Sequence, residues 1–274
     1  MSKRTRRQVY GQHFLKDESL IEKIVFDSLS LFREQQCRSW LEIGPGHGAL
    51  TVSLQKNMAP GETLTLVEKD KRLIEKLQGV FPNAVRMLEG DFLEVDPSVW
   101  LQDRLGVVSN LPYSSGTAIL LELSKYYQKI PVMILMFQAE VAQRIRAKPD
   151  TKAWGSLSLS IQNHWEARTL CLVPPKAFIP PPQVNSEVLI LKSLKEPRVL
   201  DSARTPEHQD LWQELIKTAF LHRRKMLRGV FIKNSKLAQA LEASGIDPTL
   251  RAEALSWTDW AVFYREFLTA CGVK

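Results

Sequence analysis

The stretch W-L-E-I-G-P-G-H-G-A-L-T, residues 40–51, constrains the fold more than any other part of the chain. An apolar strand-like run ends in a turn with glycine at 44 and 46, and helix-compatible residues follow at once. Glycine permits a tight turn and lets the backbone approach a ligand closely. The helix that follows then points its N-terminal N–H groups at that ligand. The expected element is a strand, a ligand-cradling turn and a helix, which is the opening unit of a doubly wound α/β sheet.

The chain repeats that rhythm. Apolar strand-like runs occur at 40–43, 64–68, 85–88, 106–109 and 132–137, with helix-length segments such as 49–56 and 71–81 between them. Strands alternating with helices predict right-handed crossovers and a parallel sheet covered on both faces. A helix is expected over 138–147. Two further strands are expected at 157–162 and 187–192, on either side of the proline-rich V-P-P-K-A-F-I-P-P-P, as an antiparallel extension of the sheet. Residues 196–210 are polar with two prolines and read as a linker. Beyond them, Leu211, Trp212, Leu215, Ile216, Ala219 and Phe220 recur at helical spacing, and more helix-like segments run to the end. The expected domains are therefore 1–200, a cofactor-binding α/β catalytic domain, and 205–274, a small all-helical domain.

Three acids fall in step with three successive strand ends. Glu42 lies two residues before Gly44, Glu68 ends the second strand, and Asp91 follows the third in E-G-D-F. Glu68 stands at a suitable distance to bind ribose hydroxyls, and Gly44, Gly46 and Ala49 also fit a dinucleotide fingerprint, so NAD remains a rival cofactor. Glu42 in E-I-G-P-G-x-G is typical of S-adenosylmethionine sites, and Asp91 is suited to accept a hydrogen bond from an adenine amine.

After the fourth strand comes S-N-L-P-Y-S-S-G, residues 109–116. In an open α/β sheet the ligand crevice lies beyond the C-terminal strand ends, so this turn opens onto the same crevice as Gly44, Glu68 and Asp91. An exocyclic base amine is a poor nucleophile because its lone pair is delocalised into the ring. If the Asn110 side-chain carbonyl and a main-chain carbonyl of the turn each accept one N–H, the nitrogen moves towards sp³ geometry and can attack a sulfonium methyl. Pro112 fixes the turn, and Tyr113 can stack on a base swung out of its helix. No strong base is needed, and catalysis of this kind is positioning and hydrogen bonding.

Net charge is +7, with cations clustered at Lys3, Arg4, Arg6 and Arg7 and again in H-R-R-K-M-L-R, residues 222–228, on a helix-like stretch. That distribution favours a nucleic-acid partner over a merely solvated surface. The three cysteines are scattered and the five histidines do not cluster with ligand-type residues, which argues against a disulfide framework and against metal-dependent chemistry. No run is long and apolar enough for a transmembrane helix and no secretory signal is recognised, so a cytoplasmic location is expected.

N-L-P-Y, together with E-I-G-P-G-H-G-A-L-T, G-Q-H-F-L (11–15) and F-I-P-P-P-Q-V-N-S (178–186), resembles the rRNA adenine dimethyltransferase family. The tail motifs F-L-H-R-R-K-M-L-R (220–228) and I-D-P-T-L-R-A-E-A-L (246–255) resemble its ribosomal small-subunit branch. The resemblance implies a Rossmann-like class I methyltransferase with a small C-terminal helical domain. The implied reaction is S-adenosylmethionine-dependent dimethylation of two adjacent adenosines near the 3′ end of 16S rRNA. The implied substrate is the 30S subunit or its precursor, with a role in its biogenesis and a monomeric enzyme. His13, Leu15 and Gly46 would contact the cofactor, Gly44 would lie against its methionine part, Glu68 would bind the ribose and Asp91 the adenine, and Asn110 would serve both the cofactor and the target amine. Asn110, Leu111, Pro112 and Tyr113 would carry the chemistry, with Phe178 as a second aromatic against the target base. Arg4, Arg6, Arg7, Arg223, Arg224, Lys225 and Arg228 would bind RNA.

Overall fold

The computed structural model describes residues 13–81 and 85–273. Its packing resolves into two compact units. The first runs to Ala142 and resumes over Glu166–Ser193, and the second takes in Gln143–Trp165 and Leu194 onward.

The first unit is built on a seven-stranded sheet. In chain order its strands are β2 (Ser39–Ile43), β3 (Thr63–Glu68), β4 (Arg86–Glu89), β5 (Leu105–Asn110), β6 (Val132–Gln138), β7 (Trp165–Val173) and β9 (Ser186–Ser193). Their order across the sheet is β4-β3-β2-β5-β6-β9-β7. β4, β3, β2, β5 and β6 are parallel neighbours, and β9 adds antiparallel to β6 with Val132 opposite Lys192 and Gln138 opposite Ser186. The strand order reverses direction between β2 and β5, which puts the crevice of the sheet at their C-terminal ends. The central strands are apolar on both faces because both are covered. Helices α1 (Glu18–Glu34), α2 (Ala49–Lys56), α3 (Lys71–Val80) and α4 (Gly116–Ser124) accompany them. Phe32, Trp40, Leu66, Val108 and Ile134 are buried in one shared core. A two-stranded ribbon pairs β1 (Phe14–Leu15) antiparallel with β8 (Phe178–Ile179), Leu15 facing Phe178 across it.

The second unit is helical. It contains α6 (Ser156–Gln162), α7 (Pro206–Phe220), α8 (Leu227–Phe231), α9 (Ser235–Ala243) and α10 (Trp257–Cys271). Trp154, Leu159, Trp212, Leu215, Phe231, Trp260, Phe263 and Tyr264 form its core. Trp212 meets Trp260 and Tyr264 edge-on, at 6.0 and 5.5 Å between ring centroids, the arrangement that ring quadrupoles favour. Thr205 caps α7, and Ser256 with Asp259 forms a capping box for α10.

The expected α/β sheet and C-terminal helical region are both present, but three local readings change. Residues 157–162, expected as a strand from the alternation S-L-S-L-S-I, form α6. All of residues 157–161 are buried, so period-2 alternation does not distinguish a strand from a helix sunk on every side. The serines are tolerated because their hydroxyls bond, Ser158 Oγ donating to Arg144 O (2.6 Å) and Ser160 Oγ to Gln213 Oε1 (3.0 Å). The strand that completes the sheet is β7, directly afterwards. Residues 196–210 are not a free linker. Buried Asn163 accepts from Val199 N and donates to Ser202 Oγ, which holds a 3₁₀ turn at Leu200–Ala203. The expected boundary near 200 also differs from the packing, since Trp154 and Leu159 belong to the helical core.

Gly106 in β5 lies against the ring of Phe32, where an added Cβ would come within 2.6–2.8 Å of three ring carbons. Phe32 is fully buried in α1 and has no room to withdraw. Gly106→Ala is therefore expected to destabilise the protein by about 1–3 kcal/mol, the usual effect of overpacking a filled core. Urea denaturation of the two proteins measures the difference.

Candidate active site

The crevice is assembled from strand ends. Ile43, at the end of β2, is tied to β5 through its carbonyl, which accepts from Ser109 Oγ at 2.5 Å. The loop then turns through Gly44 (φ +63°) and Gly46 (φ +60°). Gly44 N donates to Val67 O at 2.8 Å, laying the loop along the end of β3. At Gly46 a Cβ would come within 2.9 Å of the Phe14 ring, so both backbone angle and space require glycine there.

Glu68 ends β3 and is buried at 5 % exposure. Its Oε2 accepts from Gly46 N (3.1 Å) and its Oε1 from Asp70 N (2.9 Å). Burial raises its pKa, against the pull of those N–H groups. Each oxygen keeps a second lone pair, so the carboxylate can still accept from a ligand diol. Asp91, just past β4, accepts from Leu93 N (3.1 Å) and pairs with Lys69 Nζ (2.7 Å), and the Lys69 bond leads in lowering its pKa.

Asn110 closes β5, and its Nδ2 donates to His13 O at 3.2 Å. That bond orients the amide so that its oxygen is the remaining acceptor. In the turn that follows, Pro112 O is occupied by Ser115 N (3.2 Å) and Gly116 N (2.8 Å) as α4 begins. Leu111 O is then the turn's carbonyl for an outside donor. Tyr113 is half-buried, bonded through its hydroxyl to Ser186 Oγ (2.5 Å), with its ring centroid 5.3 Å from that of His13. Burial raises its pKa.

Two adjoining cavities result. One, of about 80 Å³, is lined by His13, Leu15, Gly44, Gly46, Glu68 and the turn from Asn110 to Tyr113. The other, of about 180 Å³, is lined by Lys69, Asp91, Phe92 and Ser115 among others. Gly44, Glu68 and Pro112 border both. The arrangement suits an elongated ligand with a diol at its middle and a donor group at the Asp91 end, and it brings Asn110 to the opposite end.

The structure thus brings together every predicted cofactor and turn residue. Phe178 is the exception. It is 1 % exposed and packs in the core beside Leu15, Ala177 and Val188, because pairing of β8 with β1 turns its ring inward. In this conformation its ring lines neither cavity. Of the predicted RNA-binding cations, Arg4, Arg6 and Arg7 lie outside the described residues. The run 222–228 is not a continuous helix: α7 stops at Phe220, a turn follows, and α8 starts at Leu227. Arg223, Arg224, Lys225 and Arg228 are all exposed, and Arg223 also bonds Lys152 O (2.8 Å) and Glu253 Oε2 (3.0 Å). Residue-type reasoning missed Lys69 and Ser186. Ser186 closes the quoted 178–186 motif, and Lys69 directly follows the ribose-site acid. Among the described residues no three His, Cys, Asp or Glu side chains are grouped as metal ligands, and no helix is long and apolar enough to cross a membrane.

The sheet topology and this crevice define a Rossmann-like methyltransferase. The described fold matches a dimethyladenosine transferase from Plasmodium falciparum with a TM-score of 0.75, at 21 % identity over 95 % of this chain and 99 % of that one. It matches the 23S rRNA methyltransferase ErmE at 0.63, with 19 % identity over 93 % and 99 % of the two chains. Residues 3–268 match the profile of the ribosomal RNA adenine dimethylases, and the chain belongs to that family. It is an rRNA adenine dimethyltransferase. A protein from Ruegeria sp. strain TM1040 named ribosomal RNA small subunit methyltransferase A is 38 % identical over 94 % of this chain and 91 % of its own. One of the same name from Nitrosomonas europaea is 34 % identical over 96 % of each.

Glu42 lines the first cavity at full burial and accepts from Thr51 Oγ1 at 2.7 Å. Burial pushes its pKa up from 4.5 to about 8, and the nearby Glu68 charge adds to the rise. A carboxyl raised in the folded state stabilises the fold least where it must ionise. Stability falls as pH climbs from about 4.5 and stops falling above about 8. Glu42→Gln keeps an acceptor for Thr51 and removes that titration. The variant is expected to gain on wild type as pH rises through this window, read from thermal unfolding between pH 4 and 9. Parallel curves would contradict the assignment.

Proposed function

We propose that this protein dimethylates the exocyclic N6 of two adjacent adenosines near the 3′ end of 16S rRNA, with S-adenosylmethionine as donor. Its substrate is the 30S subunit or a precursor, and it acts as a cytoplasmic monomer with a part in subunit biogenesis. The observation that carries the reading is Asn110, held by His13 O at one end of a crevice whose middle is Glu68 and whose far end is Asp91. The small-subunit methyltransferases among the relatives support the choice of rRNA over the 23S substrate named for ErmE.

S-adenosylmethionine supplies an electrophilic sulfonium methyl group. The donor set fits it: Glu68 keeps lone pairs for ribose hydroxyls, and Asp91 offers a carboxylate to an adenine amine. Gly44 and Gly46 leave the methionine end uncrowded. In the target half, Asn110 Oδ1 and Leu111 O accept the two N–H groups of the adenosine amine and turn its lone pair towards the methyl. Tyr113 supplies a face for the base. No residue has to remove a proton before transfer, because the nitrogen becomes acidic only once it carries positive charge.

Incubation with labelled S-adenosylmethionine and 30S subunits from an unmethylated strain, followed by mapping of the modified nucleotides, tests the reading. Label in two adjacent adenosines near the 3′ end supports it. Label elsewhere in 16S rRNA, or none in RNA, overturns it, as does label confined to 23S rRNA when 50S subunits are supplied beside the 30S.

Asn110→Ala is expected to lower kcat by roughly 100-fold or more, as for loss of one preorganised polar group, with little change in RNA affinity. Turnover near that of wild type would rule out the proposed geometry.

In the helical unit, exposed Arg224, Lys225 and Arg228 are the phosphate-contacting cations, while Arg223 braces the turn against Glu253. Changing Arg224, Lys225 and Arg228 to Glu should weaken 30S binding and flatten its salt dependence by about one unit of slope per cation. Cofactor affinity, measured by calorimetry, should not move.

A further inference from the structure

Ser186 is fully buried and its hydroxyl meets that of Tyr113 at 2.5 Å. The two residues lie 73 positions apart in sequence, so the bond is a product of topology. β9 runs antiparallel to β6, with Ser186 opposite Gln138, the last residue of β6. The start of β9 therefore shares an edge of the sheet with the C-terminal ends of β5 and β6, where the catalytic turn emerges. Asn185 is fixed there too, its carbonyl accepting from Ala139 N at 2.9 Å. Tyr113 is gripped on a second side by the His13 ring, and His13 Nδ1 lies 2.8 Å from Pro180 O.

We infer that Ser186 is a positioning residue for methyl transfer: it locks the Tyr113 ring through the phenol hydroxyl, so that the ring is already set as a stacking face when the base arrives. A free phenol ring rotates about two side-chain torsions, and ordering it during substrate capture would add to the barrier. The bond removes that freedom beforehand. Tyr113 lines the first cavity whereas Phe178 lines neither, so the orientation of Tyr113 carries more of the stacking. Ser186 touches neither cofactor nor base and acts through Tyr113 alone. This role rests on the functional reading given above.

A double-mutant cycle with Tyr113→Phe and Ser186→Ala tests it, scored by methylation of unmethylated 30S subunits at saturating cofactor. Ser186→Ala is expected to lower kcat roughly tenfold in the wild-type background, as for strongly coupled neighbours, and to have almost no further effect once Tyr113 is Phe. Ser186→Thr, which keeps the hydroxyl, should restore most of the activity, and calorimetric cofactor affinity should stay at the wild-type value in every variant. Equal losses from Ser186→Ala in both backgrounds, or a loss that tracks cofactor affinity, would overturn the role while leaving the function standing. Failure of the wild type to methylate the subunits would overturn the functional reading itself. The same cycle run on urea unfolding would still report whether the hydroxyls are coupled.

Discussion

The middle of the crevice depends on main-chain N–H groups that bond the Glu68 carboxylate, two of which tie separate elements together. One comes from the glycine loop at Gly46 and the other from Asp70 at the N-cap of α3. A carboxylate buried to this degree is strongly disfavoured unless hydrogen-bonded, and no cation supplies either of these two bonds. The bonds join the ends of β2 and β3 through one carboxylate, so the lining of the cleft and the fold of the loop are one structure. The loop can meet Glu68 only because Gly46 holds a positive φ beside the Phe14 ring. A single acid thus fixes the loop, the start of a helix and the middle of the cleft.

The catalytic turn follows the same economy with different groups. Asn110 is oriented by a main-chain carbonyl, that of His13, and the hydroxyl of Tyr113 by Ser186. Pro112 contributes by what its carbonyl already does: engaged with Ser115 and Gly116, it starts α4. None of these groups has to change protonation to work. The chemistry is geometric, which is why polar but non-basic residues suffice for it.

How much of this the sequence discloses differs from element to element. The strands β2 to β6 are legible because each is a short, largely apolar run that stops at a glycine or at a polar or charged residue. The acids at 42, 68 and 91 are legible because they keep step with those ends. α6 is hidden because S-L-S-L-S-I alternates perfectly, and only its burial on every side makes it a helix. The inward turn of Phe178 depends on pairing with Leu15, a long-range contact that no local pattern encodes. His13 is recognisable from a family motif, yet its contact with Asn110 uses the main chain, so residue type says little about it. The segment 196–210 looks like a linker because its polar residues are visible in sequence, whereas the buried Asn163 that pins it lies 36 positions before Val199 and 39 before Ser202.

The helical unit is discontinuous, made of Gln143–Trp165 and the chain from Leu194 onward. During synthesis Trp154 and Leu159 leave the ribosome well before Trp212, Trp260 and Phe263, the side chains that will cover them. Translation advances at about 5–20 residues per second, so these apolar groups stay without their partners for seconds on a nascent chain. The first unit meanwhile receives β7 and β9 and can close its sheet, since its last strand ends at Ser193. The order of emergence therefore separates the two folding events: the sheet is complete while the helical core still waits for its second half. A released chain ending shortly after Ser193 would carry every strand of the sheet and a tryptophan segment without its partners, the kind of surface that chaperones bind.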